Sequence, residues 1–139
     1  MQLISGTLSQ FSSDFLDFTN FASIVTDMEK VRWGFIGAGY IAKLALYPAL
    51  LNFQEGEIYA VGSKNLERGK SLSPSGLVYT DYDQLLADPK VEAIYISLPN
   101  SLHIEWSIKA MRAGKHVLCE KPAAMNVSQL KEAIAVANE

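Results

Sequence analysis

Val31–Ala42, VRWGFIGAGYIA, is the stretch on which the reading of the chain turns. Val31 to Ile36 is a short, mostly apolar run of the kind that makes a buried strand. It passes directly into Gly37-Ala38-Gly39-Tyr40-Ile41-Ala42, the G-x-G-x-x-G/A spacing of a strand, tight turn and helix that hold a dinucleotide. Gly37 permits the sharp turn out of the strand. Gly39 lets the backbone approach a pyrophosphate with no Cβ in the way, and Ala42 lets the helix lie close to the sheet. Tyr40 and Ile41 open that helix, where unpaired N–H groups and the positive end of the dipole favour phosphate.

Outward from this stretch, strand and helix patterns alternate. Tyr40 to about Asn52 reads as the first helix, with Pro48 expected to kink or shorten it, because proline lacks an N–H and crowds the preceding turn. Ile58–Gly62 reads as a second buried strand, Leu66–Leu72 as a short helix weakened by Gly69, and Leu77–Tyr79 as a third strand. Thr80 or Asp81 is placed to cap a helix that ends at Asp88-Pro89. Val91–Ser97 reads as the fourth strand, followed by Leu98-Pro99-Asn100 and a helix capped by Asn100 or Ser101. Ile104, Ile108 and Met111 form that helix's apolar stripe, and Gly114 suits its C′ position. His116–Cys119 is the fifth strand. Asn126 with Gln129 reads as a capping box on a last helix running to Glu139.

This alternation predicts an α/β fold, a doubly wound parallel Rossmann sheet of order 3-2-1-4-5 with right-handed crossovers. Ligand chemistry in such a sheet belongs at the carboxyl ends of the strands: here Gly37–Ile41, Ser63–Lys64, Leu98–Asn100 and Glu120–Pro122. An acidic residue some 20 positions past the glycines commonly bonds the adenine ribose. Glu57 fits that count but lies at the beginning of the second strand. At roughly 3.3 Å per residue, that puts it at the wrong edge of the sheet. The strand's end carries Ser63 and Lys64 instead, a hydroxyl and an ammonium suited to a 2′-phosphate. The expected cofactor is therefore NADP rather than NAD.

The chain has 139 residues, a net charge of −3, 49% hydrophobic and 19% charged residues. Such a composition suits one soluble α/β domain and gives no electrostatic reason to expect nucleic acid as a partner. Residues 1–27 hold Asp14, Asp17 and Asp27 and no Lys or Arg; of the 15 acidic residues, 12 remain to balance 12 basic ones in the rest. This segment reads as an extension, either loosely docked or an amphipathic helix presenting Phe11, Phe15, Phe18, Ala22 and Val25. Residues 28–139 are assigned to the NAD(P)-binding domain. Cys119 is the only cysteine, so no intrachain disulfide exists and a reducing, cytoplasmic setting is expected. No apolar run approaches the ~18 residues of a membrane span, and two histidines with one cysteine supply no metal-ligand spacing. Trp33, Trp106 and the tyrosines read as packing residues.

Residues 31–139 resemble the amino-terminal domain of the Gfo/Idh/MocA oxidoreductases, through WGFIGAGYIA, AVGSKN, YDQLLADPKVEAIYISLPNSLH and AGKHVLCEKPAAMN. Within the family, the chain resembles the dihydrodiol and xylose dehydrogenase-like members. The resemblance implies that Gly37, Gly39, Tyr40 and Ile41 hold the pyrophosphate and that Ser63 and Lys64 face the 2′-phosphate. Leu98, Pro99, Asn100 and His103 would line the ribose and nicotinamide side, and Glu120 would contact the nicotinamide ribose. Lys121, followed by Pro122, matches the lysine of the family's E-K-P motif, which helps transfer the substrate hydroxyl proton during hydride transfer. A partly desolvated lysine at a strand's carboxyl end suits such acid/base work.

Members of the family continue into a sixth strand and a second α/β domain that supplies most of the substrate pocket. Two readings follow. The chain is the cofactor half of an oxidoreductase acting on a sugar- or diol-type hydroxyl or carbonyl, completed by a further half or a homo-oligomer. Alternatively, it is a stand-alone NADP(H)-binding module or pseudoenzyme without turnover.

Overall fold

The computed structural model describes residues 30–139, so the extension expected at residues 1–27 lies outside the described residues. Strands β1 (Val31–Ile36), β2 (Gly56–Gly62), β3 (Val78–Tyr79), β4 (Ala93–Ile96) and β5 (His116–Cys119) form one 5-stranded sheet of order 3-2-1-4-5. All neighbouring pairs are parallel. The helices are α1 (Tyr40–Leu44), α2 (Leu46–Leu51), α3 (Leu66–Lys70), α4 (Tyr82–Ala87), α5 (His103–Arg112) and α6 (Val127–Ala137).

The central strands are apolar on both faces because helices cover both. Phe35, Val61 and Tyr95 point to one side, where they pack with Ala42 of α1 and Leu50 of α2. Their neighbours Ile36, Ala60, Ile94 and Ile96 point to the other, against Tyr82, Leu85 and Leu86 of α4 and Ala110 of α5. Phe35, Ile36, Val61, Leu85, Ile94 and Ile96 are fully buried. Burying each such side chain is worth about 1.5–3 kcal/mol.

Local chemistry sets most boundaries. Asp81 caps α4 by accepting from the Asp83 amide at 3.0 Å, which decides between Thr80 and Asp81. Asn65 caps α3 through the Arg68 amide at 3.0 Å. Gly114, at φ 73°, closes α5 in a left-handed turn. Ile104 and Ile108 are buried on α5, with Met111 packed against them.

Other expectations need correction. The first helix is disturbed, as Pro48 leads one to expect, but the break into two pieces lies upstream of the proline, at Ala45 (φ −96°, ψ −92°). Pro48 explains the position, since it can neither donate to the Leu44 carbonyl four residues back nor avoid crowding it. Asn100 and Ser101 cap no α-helix. With Leu102 they form a 3₁₀ turn, Asn100–Leu102, after which α5 starts at His103. The capping box is offset by one residue. Asn126 accepts from the Gln129 amide at 3.0 Å, but the Gln129 side chain accepts from the amide of Met125. β2 begins earlier than expected, at Gly56. α3 stops at Lys70, β3 and β4 are shorter than expected, and α6 ends at Ala137.

Candidate dinucleotide site

β1 and β4 lie side by side, and their crossovers leave in opposite directions, β1 towards β2 and β4 towards β5. This topological switch opens a crevice at the carboxyl ends of the strands. A cavity of about 400 Å³ occupies it, lined by residues 39–41, 97–100, His103, Glu120 and Lys121. Gly39, Tyr40, Ile41, Leu98, Pro99, Asn100, His103, Glu120 and Lys121 are thus brought together from four separate parts of the chain. A hollow of about 530 Å³ near Leu50, Phe53 and Glu57 lies at the other end of β2, away from this crevice.

The two fingerprint glycines meet different constraints. Gly37 has φ +101°, and a Cβ there would come within 2.9 Å of the Ser97 carbonyl oxygen. Ser97 also donates its hydroxyl to the Gly37 carbonyl at 3.2 Å, which ties the turn to the end of β4. At Gly39 a Cβ would meet nothing within 4 Å. The space beside Gly39 opens into the cavity, so the turn accommodates a bulky anion approaching the backbone. Gly39 caps α1 without a side-chain bond, and the amides that follow are those a helix leaves without intrahelical partners. Ala42, fully buried, lets α1 lie against the sheet. These features fit a pyrophosphate.

At the end of β2, Ser63 is buried and its hydroxyl is engaged in its own turn. It donates to the Asn65 carbonyl at 2.8 Å and accepts from the Asn65 amide at 3.2 Å. Lys64 is exposed, its ammonium 4.9 Å from the centre of the Tyr82 ring. Neither residue lines the cavity beside Gly39. Glu57 pairs in register with Arg32 at the start of β1 and accepts from Ser75 at 2.8 Å, far from the crevice as expected.

The side formed by the loops after β4 and β5 is more tightly built. His103 is 1% exposed, with Nδ1 2.8 Å from the Pro122 carbonyl oxygen and Nε2 2.8 Å from that of Leu98. Its ring sits between the loops after β4 and β5, with a backbone carbonyl beside each nitrogen. Glu120 accepts the Tyr95 hydroxyl at 2.5 Å on Oε1 and the Lys121 amide at 3.3 Å on Oε2. Burial, then the hydrogen bond to Glu120 and that carboxylate's charge, hold the Tyr95 phenol well above its ordinary pKa. Lys121 is exposed rather than partly desolvated, and its bond to Pro122 is cis. Among the described residues, the Lys121 ammonium joins none of the ion pairs. Burial raises the Cys119 thiol, a hydrogen bond with Ser107 opposes it, and the Glu120 charge adds to the rise. That suits a packing residue better than a nucleophile.

Sequence reasoning missed Ser97 and Tyr95. Both sit in the fourth-strand run, where Tyr95 reads as a packing residue and Ser97 only as the strand's last position. Strand alternation held the available signal, since Tyr95 lies opposite Leu118 and Glu120 follows two positions on, on the same face. Trp106 packs edge-on to Tyr82 at 5.0 Å, in keeping with its packing role. No metal-binding cluster of His, Cys, Asp and Glu occurs among the described residues. None of their helices is long and apolar enough to cross a membrane.

The model of the Gfo/Idh/MocA oxidoreductase family, NAD-binding Rossmann fold, matches residues 31–139. An uncharacterized oxidoreductase of Rhizobium meliloti is 44% identical over 110 residues, covering 77% of this chain and 33% of its own. A 1,5-anhydro-D-fructose reductase of Ensifer adhaerens is 40% identical over 111 residues, covering 78% and 33% respectively. A 3-ketoreductase from Actinomadura kijaniata, solved in complex with NADP and TDP-benzene, aligns with a TM-score of 0.75 at 38% identity. That alignment covers 79% of this chain and 34% of the reductase. The chain spans about a third of the length of these relatives.

Proposed function

This chain belongs to the Gfo/Idh/MocA family of oxidoreductases, and from that premise we propose that it is the cofactor half of an NADP-dependent oxidoreductase acting on a sugar- or diol-type hydroxyl or carbonyl. The observation that carries the reading is the single cavity uniting Gly39–Ile41, Leu98–Asn100 and Glu120–Lys121 at the switch point. The bound nicotinamide would supply or accept the hydride. The turn at Gly37 and Gly39 would seat the pyrophosphate, Glu120 would hold the ribose hydroxyls beside it, and Lys121 would give or take the substrate's hydroxyl proton. The exposure of Lys121 leaves its ammonium free to meet a substrate presented from outside the domain.

The NADP preference rests on three supports. No carboxylate stands at the end of β2, where NAD-binding sheets carry one. The exposed Lys64 ammonium offers a counter-charge to a 2′-phosphate, and the Actinomadura reductase was solved with NADP. With the Ser63 hydroxyl engaged in its turn, Lys64 carries most of this preference. A single free cysteine suits a reducing compartment such as the cytoplasm.

Calorimetric titration of the chain and of Lys64→Ala with NADPH and NADH tests the reading. We expect NADPH to bind the wild type at least tenfold tighter, about 1.4 kcal/mol, and Lys64→Ala to lose most of that margin. Equal or tighter binding of NADH overturns the NADP assignment. Binding of neither overturns the dinucleotide reading.

A further inference from the structure

We infer that Tyr95 is a positioning residue for the nicotinamide end of the site, acting through Glu120. The inference rests on the dinucleotide reading above and goes beyond it. Tyr95 is a core residue by location, 2% exposed in the middle of β4, with its ring edge-on to Phe35 at 5.0 Å. A phenylalanine would supply the same packing. The hydroxyl is the unexplained part, because burying it without a partner is costly. Its partner is the Glu120 carboxylate, at 2.5 Å.

The consequences run to the cavity. Glu120 follows β5, where its amide donates to the Ile96 carbonyl at 3.0 Å and extends the ladder by one residue. The backbone is thereby fixed, but a glutamate side chain has several rotamers open to it. The Tyr95 hydroxyl selects one through Oε1, and the Lys121 amide takes Oε2. The carboxylate is then held on both oxygens, and Glu120 is one of the residues of the cavity that Gly39–Ile41 also line. The donor comes from β4, a strand whose residues are all buried. On the far side of Lys121, the buried His103 ring lies against the loop, its Nδ1 2.8 Å from the Pro122 carbonyl oxygen. The Glu120-Lys121-Pro122 segment is therefore pinned at both ends by buried side chains, with Lys121 between them. A preorganised carboxylate loses less freedom on binding ribose hydroxyls than a mobile one.

The test separates the two ends of the ligand. NADPH and adenosine 2′,5′-bisphosphate, which lacks the nicotinamide half, are titrated against wild type, Tyr95→Phe, Glu120→Gln and the double variant. Tyr95→Phe is expected to weaken NADPH about tenfold, the scale of one hydrogen bond to a charged group, and to leave the bisphosphate unchanged. Glu120→Gln, altered at the cavity side of the pair, should show the same selective loss. The double variant should lose no more than Glu120→Gln alone, since both changes remove one interaction. Unchanged NADPH binding in Tyr95→Phe, equal loss of both ligands, or additive losses in the double variant would each overturn the inference while leaving the dinucleotide reading intact. If the wild type binds neither ligand, that reading fails and the inference fails with it.

Discussion

A methyl group added at Gly37 would have nowhere to go. The residue sits at φ +101°, and the new Cβ would press within 2.9 Å of the Ser97 carbonyl oxygen. Two positions on, Gly39 has an ordinary extended backbone (φ −83°, ψ −173°) and open space where its Cβ would lie. The same substitution should therefore do two different things. Gly37→Ala is expected to destabilise the domain by about 1–3 kcal/mol through strain and contact, visible as an earlier midpoint in urea. Gly39→Ala is expected to keep the wild-type midpoint, within about 0.5 kcal/mol, yet weaken NADPH in calorimetry, because its methyl would stand where the pyrophosphate is proposed to approach. Equal effects of both changes on stability would refute this division of labour. The sequence spacing announced both glycines. It could not show that Gly37 is crowded and Gly39 open, since that depends on Ser97, sixty residues away. Tyr95 was hidden for a similar reason. A tyrosine in an apolar strand reads as core, and only the parallel register with β5 brings Glu120 over its hydroxyl.

At the scale of elements, β3 and the stop of α4 are joined by one bond, from the Tyr79 hydroxyl to Asp88 Oδ2 at 2.9 Å. Burial first, then this bond and the Asp88 charge, push the Tyr79 phenol up to about 12 from its ordinary 10.0. A group whose pKa is raised on folding stabilises the fold fully below its unfolded pKa, and that contribution is lost as pH rises through the folded value. The window is therefore about pH 10–12. Urea unfolding of wild type and Tyr79→Phe should show a stability gap that is constant at neutral pH and narrows across that window. A gap that persists to its upper end would contradict the assignment. Elements of this kind were legible where the signal was local: apolar runs marked the five strands, and Asp81, Gly114 and Asn126 marked helix ends. The break at Ala45 was legible only in part. Pro48 announced a disturbance, but its ring acts on the Leu44 carbonyl, so the break appears upstream of the proline. Asn100 and Ser101 looked like caps by residue type. An extra 3₁₀ turn, Asn100–Leu102, displaces the start of α5 to His103, whose buried imidazole lies against the carbonyls of Leu98 and Pro122.

For the molecule as a whole, sheet order does the work that no single residue can. The order 3-2-1-4-5 sends the crossovers from β1 and β4 in opposite directions and leaves one crevice between them at the strands' carboxyl ends. Residues as distant as Gly39 and Lys121 meet there because their strands end there. The alternation of apolar runs and helical stripes made that order readable, and with it the place of the site. The detail of the crevice was less readable, because Ser63 and His103 spend their polar atoms on backbone groups that only the folded loops bring near. On the proposed function, this crevice is where the dinucleotide binds. Amide chemical-shift mapping by NMR on addition of NADPH is the decisive test. We expect the largest shifts at Gly37–Ile41, Leu98–Asn100 and Glu120–Lys121, with Glu57, Lys90 and Lys115 at the other end of the sheet unmoved. Shifts confined to that other end, or none at saturating NADPH, would contradict it.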